Sequence, residues 1–324
     1  MGTMINGEWV ADDVAVTDKS GAFDRKPVTF RNWITKDGSP GPTGQGGFAA
    51  ETNRYHLYVA GACPWAHRTL IFRVLKDLQN HISIDVAHPD MLAEGWTFSK
   101  DMDGATGDSL FGSSFVREIY KQADPKFTGR VTVPILWDKK TGQIVSNESS
   151  EIIRMFNSAF DDLTGNTQDY WPLAERDEIE KVNARIYDTL NNGVYRCGFA
   201  KSQEAYDAAV GELFGTLDWL EDRLSQTRYL LGDQQTEADW RLFPTLYRFD
   251  AVYHTHFKCN KKRLVDFPNL FEYAKELYQV PGIAETVQRD HITRHYYFSH
   301  RSINTYGIIP VGPDTDWDSP HRRF

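Results

Sequence analysis

One stretch constrains this chain more than any other: Tyr55-His-Leu-Tyr-Val-Ala60, then Gly61-Ala-Cys-Pro64, then the apolar-periodic run from Ala66 to Leu78. The first six residues read as a strand and the next four as a tight turn. The run after them reads as a helix with Leu70, Ile71, Val74, Leu75 and Leu78 on one face. Pro64 suits a first-turn position, where its missing N–H costs nothing. Ile82-Ser-Ile-Asp-Val86 follows as a second short strand and completes a βαβ unit.

Downstream, His88 to Phe127 is irregular and holds Trp96, with a helix expected near Ser113 to Gln122. Val131-Thr-Val-Pro-Ile-Leu-Trp137 reads as a strand entered through a proline. Ile144 to Phe156 reads as a brief strand running into a helix that Asn147 or Ser149 caps. The first half is therefore α/β with short elements. From Pro172 to about Ser299 the pattern turns helical. Glu204 to Leu224 carries Ala208, Leu213, Leu217 and Leu220 at helical spacing. Thr236-Glu-Ala-Asp239 is a capping-box start, and Phe271 to Leu277 and Ile283 to Val287 are further helical pieces around Pro281.

The expected architecture is α/β plus all-α, divided as an extended N-terminal arm (1–50), an α/β domain (51–160), an all-helical domain (172–300) and a surface tail (301–324). The arm is assigned from isolated aromatics and from the Gly/Pro-dense run Gly38 to Gly47, which holds no regular element. A length of 324 residues fits two units of roughly 100–200 residues each.

Composition narrows the function classes. Hydrophobic content of 40% with 25% charged residues describes a globular chain rather than a disordered one. With 36 Lys+Arg against 45 Asp+Glu the formal charge is −9, which argues against nucleic acid as a partner. No run approaches the roughly 20 apolar residues of a membrane span, and a cytoplasmic protein is expected. Cys63, Cys197 and Cys259 are too few and too scattered for a disulfide framework or a CxxC zinc site.

Cys63 carries the chemistry. A cysteine in the turn between a strand and its helix sits at the positive end of the helix dipole, near backbone N–H groups that favour thiolate. Cys63-Pro-Trp-Ala66 is a C-x-x-C redox motif with alanine in the fourth place, so a mixed disulfide on Cys63 is cleared by an outside thiol. The bland alternative is a small buried hydrophobe. In a thioredoxin-like domain the Val133-Pro134 loop, with a cis proline, lies beside this thiol and offers backbone groups to a peptide-like ligand. Glu148-Ser149 at the next helix start offers an N–H, a hydroxyl and a dipole to a carboxylate. In this order and spacing, the three make a glutathione site.

These residues carry a family resemblance. The chain resembles the glutathionyl-hydroquinone reductases, the xi class of the glutathione transferase superfamily, which are omega-like. The matching segments are Arg54-Tyr-His-Leu-Tyr-Val, Cys63-Pro-Trp-Ala-His-Arg-Thr-Leu70, Gly129-Arg-Val-Thr-Val-Pro134, Ser146-Asn-Glu-Ser149, Thr236-Glu-Ala-Asp-Trp-Arg-Leu-Phe243 and His295-Tyr-Tyr-Phe298. A small departure is Thr305, where the family pattern has proline. The resemblance implies an N-terminal thioredoxin-like domain followed by a transferase-type helical domain, and Cys63 as nucleophile. It implies that Trp96, Arg130, Val133, Glu148 and Ser149 hold glutathione. Tyr195 is implied as proton donor or acceptor, and Tyr253 and Tyr296 as lining an aromatic site and supporting the thiolate. It further implies a homodimer built through the helical domain, glutathione as co-substrate and no tightly bound cofactor.

The implied reaction is glutathione-dependent reduction of S-glutathionyl-hydroquinones. The alternative within the superfamily is an omega-type thiol transferase or dehydroascorbate reductase. Two readings of other classes stand beside it. One is a zinc protein using His254, His256, Cys259, His291 and His295, although no paired cysteine or HExxH accompanies them. The other is a catalytically idle binding module, against which Cys63-Pro64 speaks. The tyrosines also have a plain reading as core or surface aromatics.

Overall fold

The computed structural model describes residues 2–11, 17–24 and 27–323. The chain divides into two compact units: one of Met1–Val14, Lys26–Gln168 and Thr286–His295, the other of Ala15–Arg25, Asp169–Glu285 and Tyr296–Phe324.

The first unit opens with a hairpin of β1 (Thr3–Ile5) and β2 (Glu8–Val10). Asn6 and Gly7 join them with φ of 49° and 79°, the positive values that a two-residue hairpin turn requires. Its main sheet holds β3 (Tyr55–Ala60), β4 (Ser83–Ala87), β5 (Ile135–Asp138) and β6 (Gln143–Ser146) in the order β4-β3-β5-β6. β3 runs parallel to β4 and antiparallel to β5, which runs antiparallel to β6. All six residues of β3, His56 included, are buried, which explains why the strand shows no in–out alternation. The helices are α1 (Pro64–Leu75), α2 (Val116–Ala123), α3 (Ser149–Ser158) and the single turn α4 (Asp161–Thr164).

Several expected boundaries shift, each for a local reason. α1 begins at Pro64 and ends at Leu75, short of Leu78, because the chain reverses at Asp77, whose φ is 55°. β5 begins at Ile135 rather than Val131, since Pro134 has no N–H for a ladder. α2 starts at Val116 instead of Ser113, where the Glu118 carboxylate accepts the Ser114 and Phe115 N–H groups at 2.7 and 3.0 Å. The cap of α3 is neither Asn147 nor Ser149 but Glu148, whose carboxylate accepts the Ser150 N–H at 3.0 Å.

Within residues 1–50, read from sequence as an arm, Met1, 12–16 and 25–26 lie outside the described residues. The rest is well engaged. Met4 exchanges backbone hydrogen bonds with Gly129 at 2.9 and 3.0 Å. Phe30 to Asn32 pairs with β6: the Asn32 N–H donates to Val145 O, and the Asn147 N–H donates to Phe30 O. On the opposite flank the Thr106 N–H donates to Val86 O in β4.

The second unit is helical: α5 (Arg176–Ile186), α6 (Gly193–Gly198), α7 (Gln203–Leu224), α8 (Glu237–Arg248), the turn α9 (His254–His256) and α10 (Pro268–Tyr278). α11 (Arg289–Arg294) belongs to the first unit. Only one short 3-10 turn, Ala284–Thr286, stands where a piece from Ile283 to Val287 was expected. α8 starts in the expected capping box, with the Asp239 carboxylate at the third helical position reaching back to the Thr236 N–H. The buried Asp239 carboxylate accepts from the Thr236 N–H and hydroxyl, and also from the Leu230 N–H and the Tyr273 hydroxyl. The expected surface tail is docked: Trp317 is buried against Tyr247, and Arg323 donates to the carbonyls of Leu224, Thr227, Arg228 and Asn269. No helix among the described residues is long and apolar enough to cross a membrane.

Candidate active site

In the first unit, topology gathers the chemistry at one end of the sheet. β3, β4 and β6 all point their C-terminal ends there, and β5, running the other way, starts there. Cys63 follows β3, Trp96 lies in the loop after β4, Val133 precedes β5, and Glu148 and Ser149 follow β6.

Cys63 is the N-cap of α1, half-buried, in extended conformation. Its Sγ lies 3.5 Å from the Ala66 N–H, which donates to it, and 3.5 Å from Val133 O. A donor from the first helical turn together with the helix dipole stabilises a sulfur anion at this position. Pro64 follows at the first helical position, as its fixed φ favours.

The Val133-Pro134 bond is cis. The loop before it is fixed by the buried Tyr120 of α2, whose hydroxyl donates to Thr132 O at 2.9 Å. The Tyr120 hydroxyl oxygen in turn accepts from the Thr132 N–H at 3.2 Å and from Asn147 Nδ2 at 3.0 Å. Tyr120 thus ties the Val133 loop to the turn before α3, and burial raises its phenol pKa. Nothing local in the sequence marks this role, since its partners arrive from two other loops.

Ser149 is buried at the first position of α3, and among the described residues nothing engages its N–H or hydroxyl. Next to it, Glu148 is half-buried and spends Oε1 on the Ser150 N–H and hydroxyl. Among the described residues no hydrogen bond engages its other oxygen. A helix start beside an open carboxylate oxygen suits the carboxylate and amine of an amino-acid end.

Trp96 is buried, and its ring stacks on His295 with centroids 4.7 Å apart and planes at 18°. His295 is fixed in turn by Pro89 O at 2.8 Å, and the neighbouring Arg294 forms a two-pronged pair with Asp90 at 2.7 Å. His291 and His295 belong to the histidine set that a zinc site would use. His291 Nε2 instead meets Asp103 O at 2.7 Å. Arg130 is half-buried in the same loop as Val133.

In the second unit three phenols meet. The Tyr296 hydroxyl lies 2.6 Å from that of Tyr195 and 3.0 Å from that of Tyr253. Tyr195 is half-buried on α6, while Tyr253 and Tyr296 are fully buried, each in a π-helical turn, Phe249–Tyr253 and His295–Ser299. Burial raises the pKa of Tyr253 and Tyr296 well above the usual phenol value, and the neighbouring Tyr195 adds to it. The inner two phenols therefore stay protonated at neutral pH and form a hydrogen-bond relay that ends on the accessible Tyr195. His256, another candidate metal ligand, meets His300 at 3.2 Å within this unit. Cys259 is buried, and burial with the nearby Cys197 raises its pKa, so it is an inert thiol.

Sequence comparison matches two family profiles: "Glutathione S-transferase, N-terminal domain" over residues 62–159, and "Glutathione S-transferase, C-terminal domain" over residues 203–276. The chain is 56% identical over 323 residues to the glutathionyl-hydroquinone reductase YqjG of Escherichia coli, covering 100% of this chain and 98% of that protein. It is 49% identical to the glutathionyl-hydroquinone reductase PcpF of Sphingobium chlorophenolicum, covering 97% and 96%. Among solved structures, the glutathione-bound YqjG structure superposes with a TM-score of 0.92 at 55% identity, covering 99% of both chains. The xi-class transferase of Natrialba magadii superposes with a TM-score of 0.93 at 47% identity, covering 99% and 96%. With a thiol at a helix start, a thioredoxin-like sheet and an all-helical second unit, this chain belongs to the xi class of the glutathione transferase superfamily, the glutathionyl-hydroquinone reductases.

Proposed function

We propose that the protein reduces S-glutathionyl-hydroquinones to hydroquinones with glutathione as co-substrate. The observation that carries this reading is the Cys63 thiol at the N-cap of α1 with no resolving cysteine at position 66. The glutathionyl part of the substrate fits the first unit. Its γ-glutamyl carboxylate meets the Ser149 N–H and hydroxyl, its amine meets Glu148, and its backbone pairs with Val133. Trp96 and Arg130 complete the binding set.

The Cys63 thiolate attacks the sulfur that joins glutathione to the ring. A sulfur–sulfur bond forms and the carbon–sulfur bond breaks. The ring carbon keeps that electron pair and takes a proton, so the ring is reduced while Cys63 becomes a mixed disulfide. Tyr195 is suited to give that proton, with Tyr296 and Tyr253 holding its hydroxyl through the relay. The thiolate of a second glutathione then attacks the mixed disulfide, releasing glutathione disulfide and restoring Cys63. The reaction needs a compartment that keeps glutathione reduced, which on this reading is the cytoplasm.

Replacing Cys63 by Ala is expected to abolish turnover of a glutathionyl hydroquinone, measured as hydroquinone released, because the mixed disulfide then has no site. Retained turnover sinks the mechanism. Assayed beside it, a standard electrophile distinguishes the reductase from a conjugating transferase: conjugation without reduction overturns the proposal. A panel including dehydroascorbate separates it from the omega-type reading.

Two copies are further proposed to pair through the helical unit. There Tyr306, Ile308 and Val311 are 85%, 70% and 103% exposed, an apolar run that a chain in water tends to cover. Sedimentation velocity is expected to report a dimer that Val311→Asp weakens; a wild-type monomer at micromolar concentration refutes the pairing.

A further inference from the structure

Tyr195 is the only one of the three linked phenols that is half-exposed, and it sits on a helix of six residues, a short base for a side chain whose hydroxyl must be held to a fraction of an ångström. Its ring is bounded by Phe257 at 5.4 Å and Phe199 at 6.4 Å, centroid to centroid. A further contact comes from a distant part of the sequence. Phe23 stacks on Tyr195 with centroids 6.1 Å apart and planes at 25°, and on Phe199 at 5.8 Å and 21°.

Phe23 is carried by a small closed turn. The Asp18 N–H donates to Ala22 O at 2.8 Å, and the Asp18 carboxylate accepts from the Ser20 N–H at 2.8 Å and the Ala22 N–H at 3.2 Å. Gly21 takes a φ of 85°, which lets the turn close. This turn is fastened just beyond the end of α6: the Lys201 N–H donates to Gly21 O at 3.0 Å and the Ser202 hydroxyl donates to Ser20 O at 3.1 Å. The turn and α6 therefore share an anchor, and the aromatic ring that the turn presents lies on the face of Tyr195.

We propose that Phe23 is a positioning residue for the reductase reaction: it holds the Tyr195 ring so that its hydroxyl keeps its place at the end of the phenol relay. The physical argument is one of geometry. Offset stacking of two rings restricts rotation of the exposed one, and a misplacement of about 1 Å at a reacting group costs on the order of 10²-fold in rate. Phe23 has no group that transfers a proton, so its whole effect passes through Tyr195. This inference rests on the reading that Tyr195 serves as proton donor.

The test is a double-mutant cycle on the full chain with a glutathionyl hydroquinone as substrate. Phe23→Ala is expected to lower kcat about tenfold while leaving the KM for glutathione and the melting temperature close to wild type. Phe23→Tyr, which keeps the ring, is expected to restore kcat. In the Tyr195→Phe background, Phe23→Ala is expected to add no further loss. Wild-type kcat in Phe23→Ala, while Tyr195→Phe is slow, overturns the inference and leaves the role of Tyr195 standing. A multiplicative loss in the double variant also overturns it, since Phe23 then acts independently of Tyr195. If Tyr195→Phe itself turns over at the wild-type rate, the proton-donor reading fails and takes the inference with it.

Discussion

At the scale of single residues, the most demanding position outside the site is Asp138, at the end of β5 and fully buried. The Arg54 guanidinium grips its carboxylate with two bonds, at 2.9 and 2.6 Å, and the Lys140 N–H and Thr141 hydroxyl add two more. Burial pushes the Asp138 pKa up, but these donors together outweigh it and hold the carboxyl below the usual range. A depressed acid stabilises the fold above its unfolded pKa, about 3.9, and loses that contribution as the pH falls through the folded value. Asp138→Asn is therefore expected to cost about 3 kcal/mol in urea unfolding at pH 7, because Arg54 loses its buried two-pronged counter-charge and keeps only the more exposed Glu51 carboxylate at 2.9 Å. The gap from wild type should narrow below about pH 4. An equal gap at both pH values refutes the account. Residue by residue, legibility follows the range of the interaction. Cys63, Pro64, Glu148 and Ser149 were readable because a strand–turn–helix junction is local. Phe23, Tyr120, and His295 as the partner of Trp96 were not, because each acts on a residue far away in the chain.

At the scale of elements, β3, the span of α7 and the start of α8 agree with what periodicity and capping signals foretell. The misplacements come from competition at the ends. Glu148 wins the cap of α3 from Asn147 because Asn147 is already committed to Tyr120 and to the Phe30 N–H, which no local pattern reveals. In the same way the capping box at Thr236 is legible as a helix start, yet its Asp239 also gathers the Leu230 N–H and the Tyr273 hydroxyl from neighbouring elements. Burial raises the Asp239 pKa, and these bonds offset it only in part. The π-helical turns that carry Tyr253 and Tyr296 left no sequence signal, since one extra residue in a turn does not visibly change the helical spacing of a five-residue segment.

At the scale of the whole molecule, the linear division into arm, two domains and tail is replaced by an interleaved one. Residues 286–295 return to the thioredoxin-like unit after the helical one, and residues 17–24 leave the N-terminal segment to join the helices. Such exchanges are invisible to composition, which reports where a segment sits in the chain rather than where it packs. The main sheet shows what this costs a designer of fragments. Each outer strand is met by a visiting backbone: Phe30 to Asn32 run along β6, and Thr106 bonds β4 at Val86. A fragment begun at residue 51, where a domain boundary reads most naturally, would carry β6 with its hydrogen-bonding rim bare, the kind of surface on which strands of separate molecules zip together. Dynamic light scattering is expected to show such a fragment growing into large particles at concentrations where the full chain keeps a single size, and a fragment of uniform small size would show that the rim is guarded by something else. On this account the short stretch from Phe30 to Asn32 is a built-in guard that keeps each copy from polymerising with its neighbours.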